Sequence, residues 1–230
     1  MRKSIRTNGS KKTTRLHAHV NPLSDRFYEL PLAPSQMNWH KHFPGHFPEP
    51  GKEDESITKS TKHVVYVDVG CGFGGMEIRD KVVEIVQKSI MADKKTYNNV
   101  SVIHTNAMKY LCYFFEKGSL EALFFCFPDP HFKKANVRRR IITEHLLDYY
   151  AYVLKEGGII YNITDVKDLY EWTRQQFENK KMLFEEVLPT EFSKWAEVDL
   201  IMNKTNEAKR VTEKGGEKFC CIYRKRTILG

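Results

Sequence analysis

The 230 residues are 41% hydrophobic and 29% charged, enough apolar material for one core and too much for a wholly disordered chain. Thirty-seven Lys and Arg against 29 Asp and Glu leave a net charge of +8, the sign that suits a polyanionic partner such as nucleic acid. No apolar run approaches the roughly 20 residues that span a bilayer, and no apolar stretch follows the basic opening MRKSIRTNGSKKTTR, so neither a membrane span nor a secretory signal is expected.

Residues 1–20 read as a basic arm, with Arg2, Lys3, Arg6, Lys11, Lys12 and Arg15 uninterrupted by any acid. Residues 21–62 read as an irregular lead-in rich in Pro, His and Ser. Its His40, His42 and His46 form an HxHxxxH cluster, but they sit in a Pro/Gly loop, and exposed loop histidines are expected rather than a metal site. The ordered domain is expected over 63–230. HVVYVDVG reads as a buried parallel strand, and MEIRDKVVEIVQKSI has helical spacing. VSVIHTN follows as a strand, AMKYLCYFF as a short helix, and LEALFFCF as a strand stopped by Pro-Asp-Pro. ITEHLLDYYAYVLKEGG predicts a helix closed by Gly157 and Gly158, IIYNITD a strand, and DVKDLYEWTRQQFEN a helix with Asp165 as N-cap. FEEVLP and KFCCIYRKR supply two last β-rich segments. This alternation predicts an α/β fold, a mostly parallel sheet with its ligands at the carboxyl ends of the strands. Five cysteines, an odd number without a CxxC pair, fit a reduced intracellular protein.

Three places carry chemistry. VDVGCGFGG, residues 67–75, is a strand running into a glycine turn, where backbone N–H groups can approach a ligand closely. The acid within it, Asp68, leans toward an adenosyl ligand, with a merely structural turn as the alternative. FFCFPDPHFKK, residues 124–134, delivers Asp129 to the sheet edge between two prolines. A carboxylate there can accept hydrogen bonds from a planar base, and a turn aspartate is the alternative. The cations that follow, Lys133, Lys134, Arg138, Arg139 and Arg140, suit an RNA backbone or else form a solvated face. Asn106-Ala107 ends one strand and Thr164-Asp165 another, while Thr205 and Glu207 lie late enough in the chain to fold over a pocket.

Read together, RLHAHVNPLSD, QMNW, VDVGCGFGG, EIR, NAMKYL, FFCFPDPHFK, YAYVLKEGGIIYNITDV and TNEAKRV resemble the catalytic subunit of the eukaryotic tRNA (guanine-N7-)-methyltransferases. The resemblance runs in order from about Arg15 to the C-terminus. It implies a Rossmann-like class I methyltransferase sheet, S-adenosyl-L-methionine as cofactor, and methylation of N7 of a variable-loop guanosine, usually position 46. It further implies a WD40-repeat non-catalytic subunit in a heterodimer and a nuclear location. Carried over by residue, Asp129 matches the catalytic aspartate. Gly70, Glu77, Ile78, Asn106, Ala107, Cys126, Thr205 and Glu207 match the cofactor-binding positions.

One departure from the family pattern stands out. The ribose-binding acid of such folds usually lies about 20 residues beyond the glycine turn. Here Met76 alone separates Gly75 from Glu77. A whole helix–strand unit is missing by this count, which predicts a sheet short by one strand, a helix over 77–90 directly after the turn, and VSVIHTN beside HVVYVDVG. Glu77 is then expected in a helical first turn. A rival reading follows: a catalytically impaired scaffold that still binds RNA through its basic surface.

Overall fold

The computed structural model describes residues 20–51, 64–70 and 75–227. The basic arm lies outside the described residues except for Val20. Seven strands form the centre: β1 (Tyr66–Asp68), β2 (Gly75–Glu77), β3 (Val102–His104), β4 (Leu120–Cys126), β5 (Leu154–Thr164), β6 (Phe184–Val187) and β7 (Phe219–Lys225). One sheet has the order β1-β4-β5-β7-β6 and a second pairs β2 with β3. A parallel bridge between Val69 and Met76 joins them, so the strands follow the continuous order β3-β2-β1-β4-β5-β7-β6. The pairs β1–β4, β4–β5 and β2–β3 are parallel, whereas β7 runs antiparallel to both β5 and β6.

Alternation along each strand sends side chains to two faces. Leu123, Phe125, Ile160, Cys221 and Tyr223 point to one, where they pack with α3 (Ala107–Phe114), α4 (Glu144–Val153) and α5 (Lys167–Glu178). Ala122, Tyr161, Ile163 and Ile222 point to the other. There they meet Phe192 of α6 (Pro189–Phe192), Val198 of α7 (Ala196–Asp199) and Ile201 of a π-helical turn, Leu200–Lys204, which the extended Thr205 separates from α8 (Asn206–Glu213). A third, smaller core joins Val82, Val83 and Val86 of α2 (Asp80–Ala92) to Val102 of β3. The lead-in contributes a 3-10 turn at Pro34–Gln36 and a short helix, α1 (Trp39–His42). In it, His40 Nδ1 lies 2.8 Å from the Phe47 carbonyl and His42 Nδ1 2.9 Å from Ser101 Oγ. Burial, helped by Lys41, lowers the His42 pKa to about 4.

The strand count corrects the expectation of a short sheet. Gly75–Glu77 forms a strand between β1 and β3, so VSVIHTN is not the neighbour of HVVYVDVG, and the helix begins at Asp80 rather than residue 77. The connection between β1 and β2 is too short for a crossover helix. Parallel neighbours usually need a connection of a dozen or more residues. Here the six residues 69–74 suffice, because strands of three residues leave only about 10 Å to retrace. The tight return presses the two backbones together. Gly75 has φ +135°, and a Cβ on it would lie 2.2 Å from the Asp68 carbonyl oxygen, so only glycine fits. Beside this return a second cavity, of about 650 Å³, is lined by Trp39, Phe43, Phe47, Tyr66 and Phe124 among others. Tyr66 is 54% exposed there, the uncovered apolar surface expected of a missing helix.

Two further boundaries differ. The helix expected to run to Gly157 stops at Val153, because Leu154 already pairs with Leu120 as the start of β5. Asp165 does not cap α5; Val166 is its N-cap residue, without a side-chain cap, and the Val166 N–H donates to Thr164 Oγ1 at 3.1 Å.

Candidate active site

The carboxyl ends of β1, β2, β3 and β4 meet at one edge of the sheet. A cavity of about 520 Å³ opens there, within the size range of small-molecule and cofactor sites. Its wall includes Gly70, Glu77, Ile78, Asn106, Ala107, Cys126, Asp129 and Glu207, eight positions singled out in the sequence. Thr105, His131, Arg79, Arg139 and Arg210 complete much of the remainder.

Gly70, just past β1, has φ +73° and open space where a Cβ would stand. Its N–H donates to the Met76 carbonyl at 2.8 Å, which fixes the glycine turn against β2. Glu77 is the last residue of β2, at a strand's carboxyl end and not in a helical turn as the spacing predicts. It is only 2% exposed. A buried carboxylate is costly unless paired, and Arg79 supplies the partner. The Arg79 backbone N–H and Nε both donate to Glu77 Oε1 at 2.9 Å, and Nη2 donates to Oε2 at 2.7 Å. The fork fixes the orientation of the carboxylate at the cavity wall.

Asn106 caps α3: its Oδ1 accepts from the Met108 N–H at 3.1 Å, while Nδ2 donates to the Pro22 carbonyl at 2.6 Å. The lead-in therefore lies across this side of the cavity, with Val20 and Pro22 in its wall. The cap is legible from an Asn before an apolar helical run; the contact with Pro22, 84 residues away, leaves no local signal. Beside it Thr105 Oγ1 is buried with no protein partner, an orphaned hydroxyl in the cavity wall. Asp68 Oδ1 is likewise shielded, and burial together with the Glu77 charge pushes the Asp68 carboxyl up to about 7. Cys126 closes β4, and burial raises its thiol pKa well above the usual range, so it acts as apolar wall rather than as a nucleophile.

Beyond Cys126 the chain makes the Pro128-Asp129-Pro130 loop. The residues flanking it, Phe127 at φ +53° and His131 at φ +46°, adopt the left-handed region that non-glycine residues rarely enter. Such strain persists only where the surroundings hold it. At one end the Phe127 N–H donates to the Ile163 carbonyl at 2.7 Å. At the other, Arg140 Nε donates to the Pro130 carbonyl at 2.9 Å, with its guanidinium 4.8 Å from the centre of the Trp172 ring. Asp129 is thus exposed at the rim on an immobilised loop.

The cation run divides. Lys133, Lys134 and Arg138 are exposed along the 3-10 helix Lys134–Arg139 and its N-cap. Arg139 turns to the cavity wall with its Nε buried and unpartnered. Arg140, expected among the RNA-facing cations, is 8% exposed and serves as the loop's anchor; the carbonyl of Pro130 and the Trp172 face draw it inward. Thr205 also departs from expectation: it lies outside the cavity wall and caps α8, its Oγ1 accepting from the Ala208 N–H at 3.2 Å. Glu207 does reach the wall, paired with Arg210 at 2.7 Å.

A seven-stranded sheet with an antiparallel β7, a glycine turn after β1, an acid ending β2 and a cavity across the carboxyl edge define a class I S-adenosyl-L-methionine-dependent methyltransferase. A family model described as a putative methyltransferase matches residues 62–221. The chain is 42% identical to the tRNA (guanine-N(7)-)-methyltransferase of Arabidopsis thaliana, over 94% of this chain and 91% of that one. It is 41% identical to the enzyme of the same name from Eremothecium gossypii (94% and 82%) and 40% identical to that from Aedes aegypti (94% and 90%). The chain belongs to the tRNA (guanine-N(7)-)-methyltransferase family. The Arabidopsis alignment spans 236 positions, more than the 230 residues present, so the relative carries residues this chain lacks.

The residues present fit the cofactor of this class. The Gly70 turn leaves open space over the backbone, Glu77 sits at the strand end that suits a ribose, and the orphaned Thr105 hydroxyl offers a hydrogen bond in the cavity.

Proposed function

We propose that this chain methylates N7 of a guanosine in tRNA, at position 46 of the variable loop, using S-adenosyl-L-methionine. We further infer that it works with a WD40-repeat subunit in the nucleus, as its resemblance to the family implies. The observation that carries the reading is Asp129, held rigid at the rim of the cavity that Gly70, Glu77 and Asn106 line. That cavity is why the impaired-scaffold reading is not favoured: the helix is missing, but the strand bearing Glu77 is in place.

Bound S-adenosyl-L-methionine supplies an electrophilic methyl group on a sulfonium. Guanine N7 already carries an in-plane lone pair, so no side chain has to deprotonate it. Asp129 accepts hydrogen bonds from the guanine N1–H and amino group, which turns N7 toward the cavity. Holding two reactants in line accounts for much of such an acceleration. The positive charge growing on the base is further stabilised by the nearby carboxylate. Glu77, oriented by Arg79, would hold the ribose of the methyl donor, and the residues around Asn106 its adenine side.

The test is incubation of the purified chain with radiolabelled methyl donor and tRNA transcripts, with and without a WD40-repeat subunit, followed by mapping of N7-methylguanosine. Incorporation lost when guanosine 46 is replaced supports the reading; incorporation indifferent to that base, or none in either preparation, overturns it. Asp129→Ala should abolish turnover and leave tRNA affinity within a few-fold, since phosphate contacts dominate binding.

A further inference from the structure

Phe132 follows the strained His131 and precedes Lys133 and Lys134. It is 71% exposed, although a phenyl ring is ordinarily buried. Nothing about its position is loose. The Pro130 carbonyl is held by Arg140, His131 lines the cavity, and the 3-10 helix beginning at Lys134 fixes the chain beyond. The fold therefore holds an apolar ring out in water, two residues from the Asp129–Pro130 bond and directly before exposed Lys133 and Lys134.

We propose that Phe132 is a stacking platform for a nucleobase next to the methylated guanosine. To reach the Asp129 cavity, a guanine must leave its stack, and the loss exposes the π-faces of its neighbours. An aromatic ring on the rim replaces that stacking, while the adjacent cations hold the phosphates on either side. The surroundings argue for a base over a protein partner: an apolar protein contact would have to desolvate the exposed Lys133 and Lys134 that directly follow the ring, whereas an RNA strand neutralises them as it binds. The inference rests on the tRNA reading above.

The experiment compares Phe132→Ala, Phe132→Leu and Phe132→Trp with the parent chain, measuring kcat and KM on a full-length tRNA. A base–aromatic stack removed by truncation corresponds to roughly a tenfold or greater loss. Ala and Leu are expected to lower kcat/KM by about tenfold or more, with Trp near the parental value. Leu matching the parent would overturn the proposal, because a contact needing only apolar bulk is not stacking. An Ala variant with parental kcat/KM would also overturn it. Because the side chain is exposed, melting temperature and calorimetric affinity for S-adenosyl-L-methionine should be unchanged in all three; a fall in either for Ala would mark a folding role and likewise count against it. A second readout is quenching of 2-aminopurine placed beside the target guanosine, by the parent and Trp but not by Leu. If the parent quenches yet transfers no methyl group, the function fails and the stacking stands; if the parent transfers and Leu quenches equally, the stacking fails alone.

Discussion

At the scale of single residues the site turns on how its carboxylates are handled. Glu77 is buried with Arg79 clasping both of its oxygens; Asp68, a strand away, has no such fork, and its Oδ1 finds no donor among the described residues. Burial, then repulsion from Glu77, raises the Asp68 carboxyl to about 7. The folded state thus keeps a proton on Asp68 between about pH 4 and 7, where the unfolded chain has released it. Its contribution to stability is therefore least unfavourable near pH 4 and worsens as pH rises toward 7, after which it is constant. An Asp68→Asn variant carries no charge to desolvate. We expect it to gain stability over the parent on going from pH 5 to pH 8, by on the order of 2 kcal/mol, read as diverging melting temperatures. Curves that stay parallel across this range would show that Asp68 is ionised in the fold. Nothing in the sequence separates these two acids; the fork from Arg79 does, and EIR places that arginine two residues on, too local a pattern to announce a buried pair.

Among elements, β2 leaves the weakest trace in the sequence. Gly-Met-Glu is three residues long, shows no alternation, and merges into the helical spacing of α2, so periodicity extends the helix backward over it. The long strands β4 and β7 and helix α5 are legible because their patterns outlast their boundaries. Gly157 and Gly158 read as a helix stop, yet lie inside β5, where Gly157 takes φ +73° beside an irregularity in the pairing with β4. Asp129 and seven of the eight positions matched through the family resemblance line one cavity, because matching short motifs does not depend on where an element begins or ends. The two turn glycines give a paired test. Gly75→Ala places a methyl group against backbone that cannot yield, and should cost several kcal/mol in thermal or denaturant unfolding. Gly70→Ala meets open space and bears only left-handed strain of about 1–2 kcal/mol, but its methyl enters the cavity. It should remain folded and lose affinity for S-adenosyl-L-methionine by calorimetry. Equal melting temperatures for the two would show that β1 and β2 are not in close contact.

Across the whole molecule, the charge of +8 is unevenly useful. Lys133, Lys134 and Arg138 are exposed beside the cavity, whereas Arg140 is spent inside the fold. Neutralising the three exposed cations together should weaken tRNA binding and reduce the slope of log affinity against log salt by about 2, in fluorescence anisotropy at several ionic strengths. Arg140→Ala should leave that slope unchanged and lower turnover through the freed Pro130 loop. A slope that falls for Arg140→Ala but not for the triple variant would reverse these assignments.

The missing crossover helix has one more consequence, for motion. Val82, Val83 and Val86 of α2 form a small core with Val102 of β3, and among the described residues the β2–β3 pair joins β1 in the sheet through one bridge, Val69 to Met76, with the Met76 side chain its main foothold in the large core. Such a unit can open without the rest, at a free energy below that of global unfolding. Amide hydrogens of Val83 and Val86 should then exchange with deuterium sooner than those of Leu123 or Ile160, which belong to the large core. The cavity straddles this joint, with Gly70 and Cys126 on one side and Glu77 and Ile78 on the other. A ligand filling it ties the two parts together, so S-adenosyl-L-methionine should slow exchange in α2 more than in β4 or β5. For this chain, binding its methyl donor completes the rigidity that a crossover helix would otherwise provide.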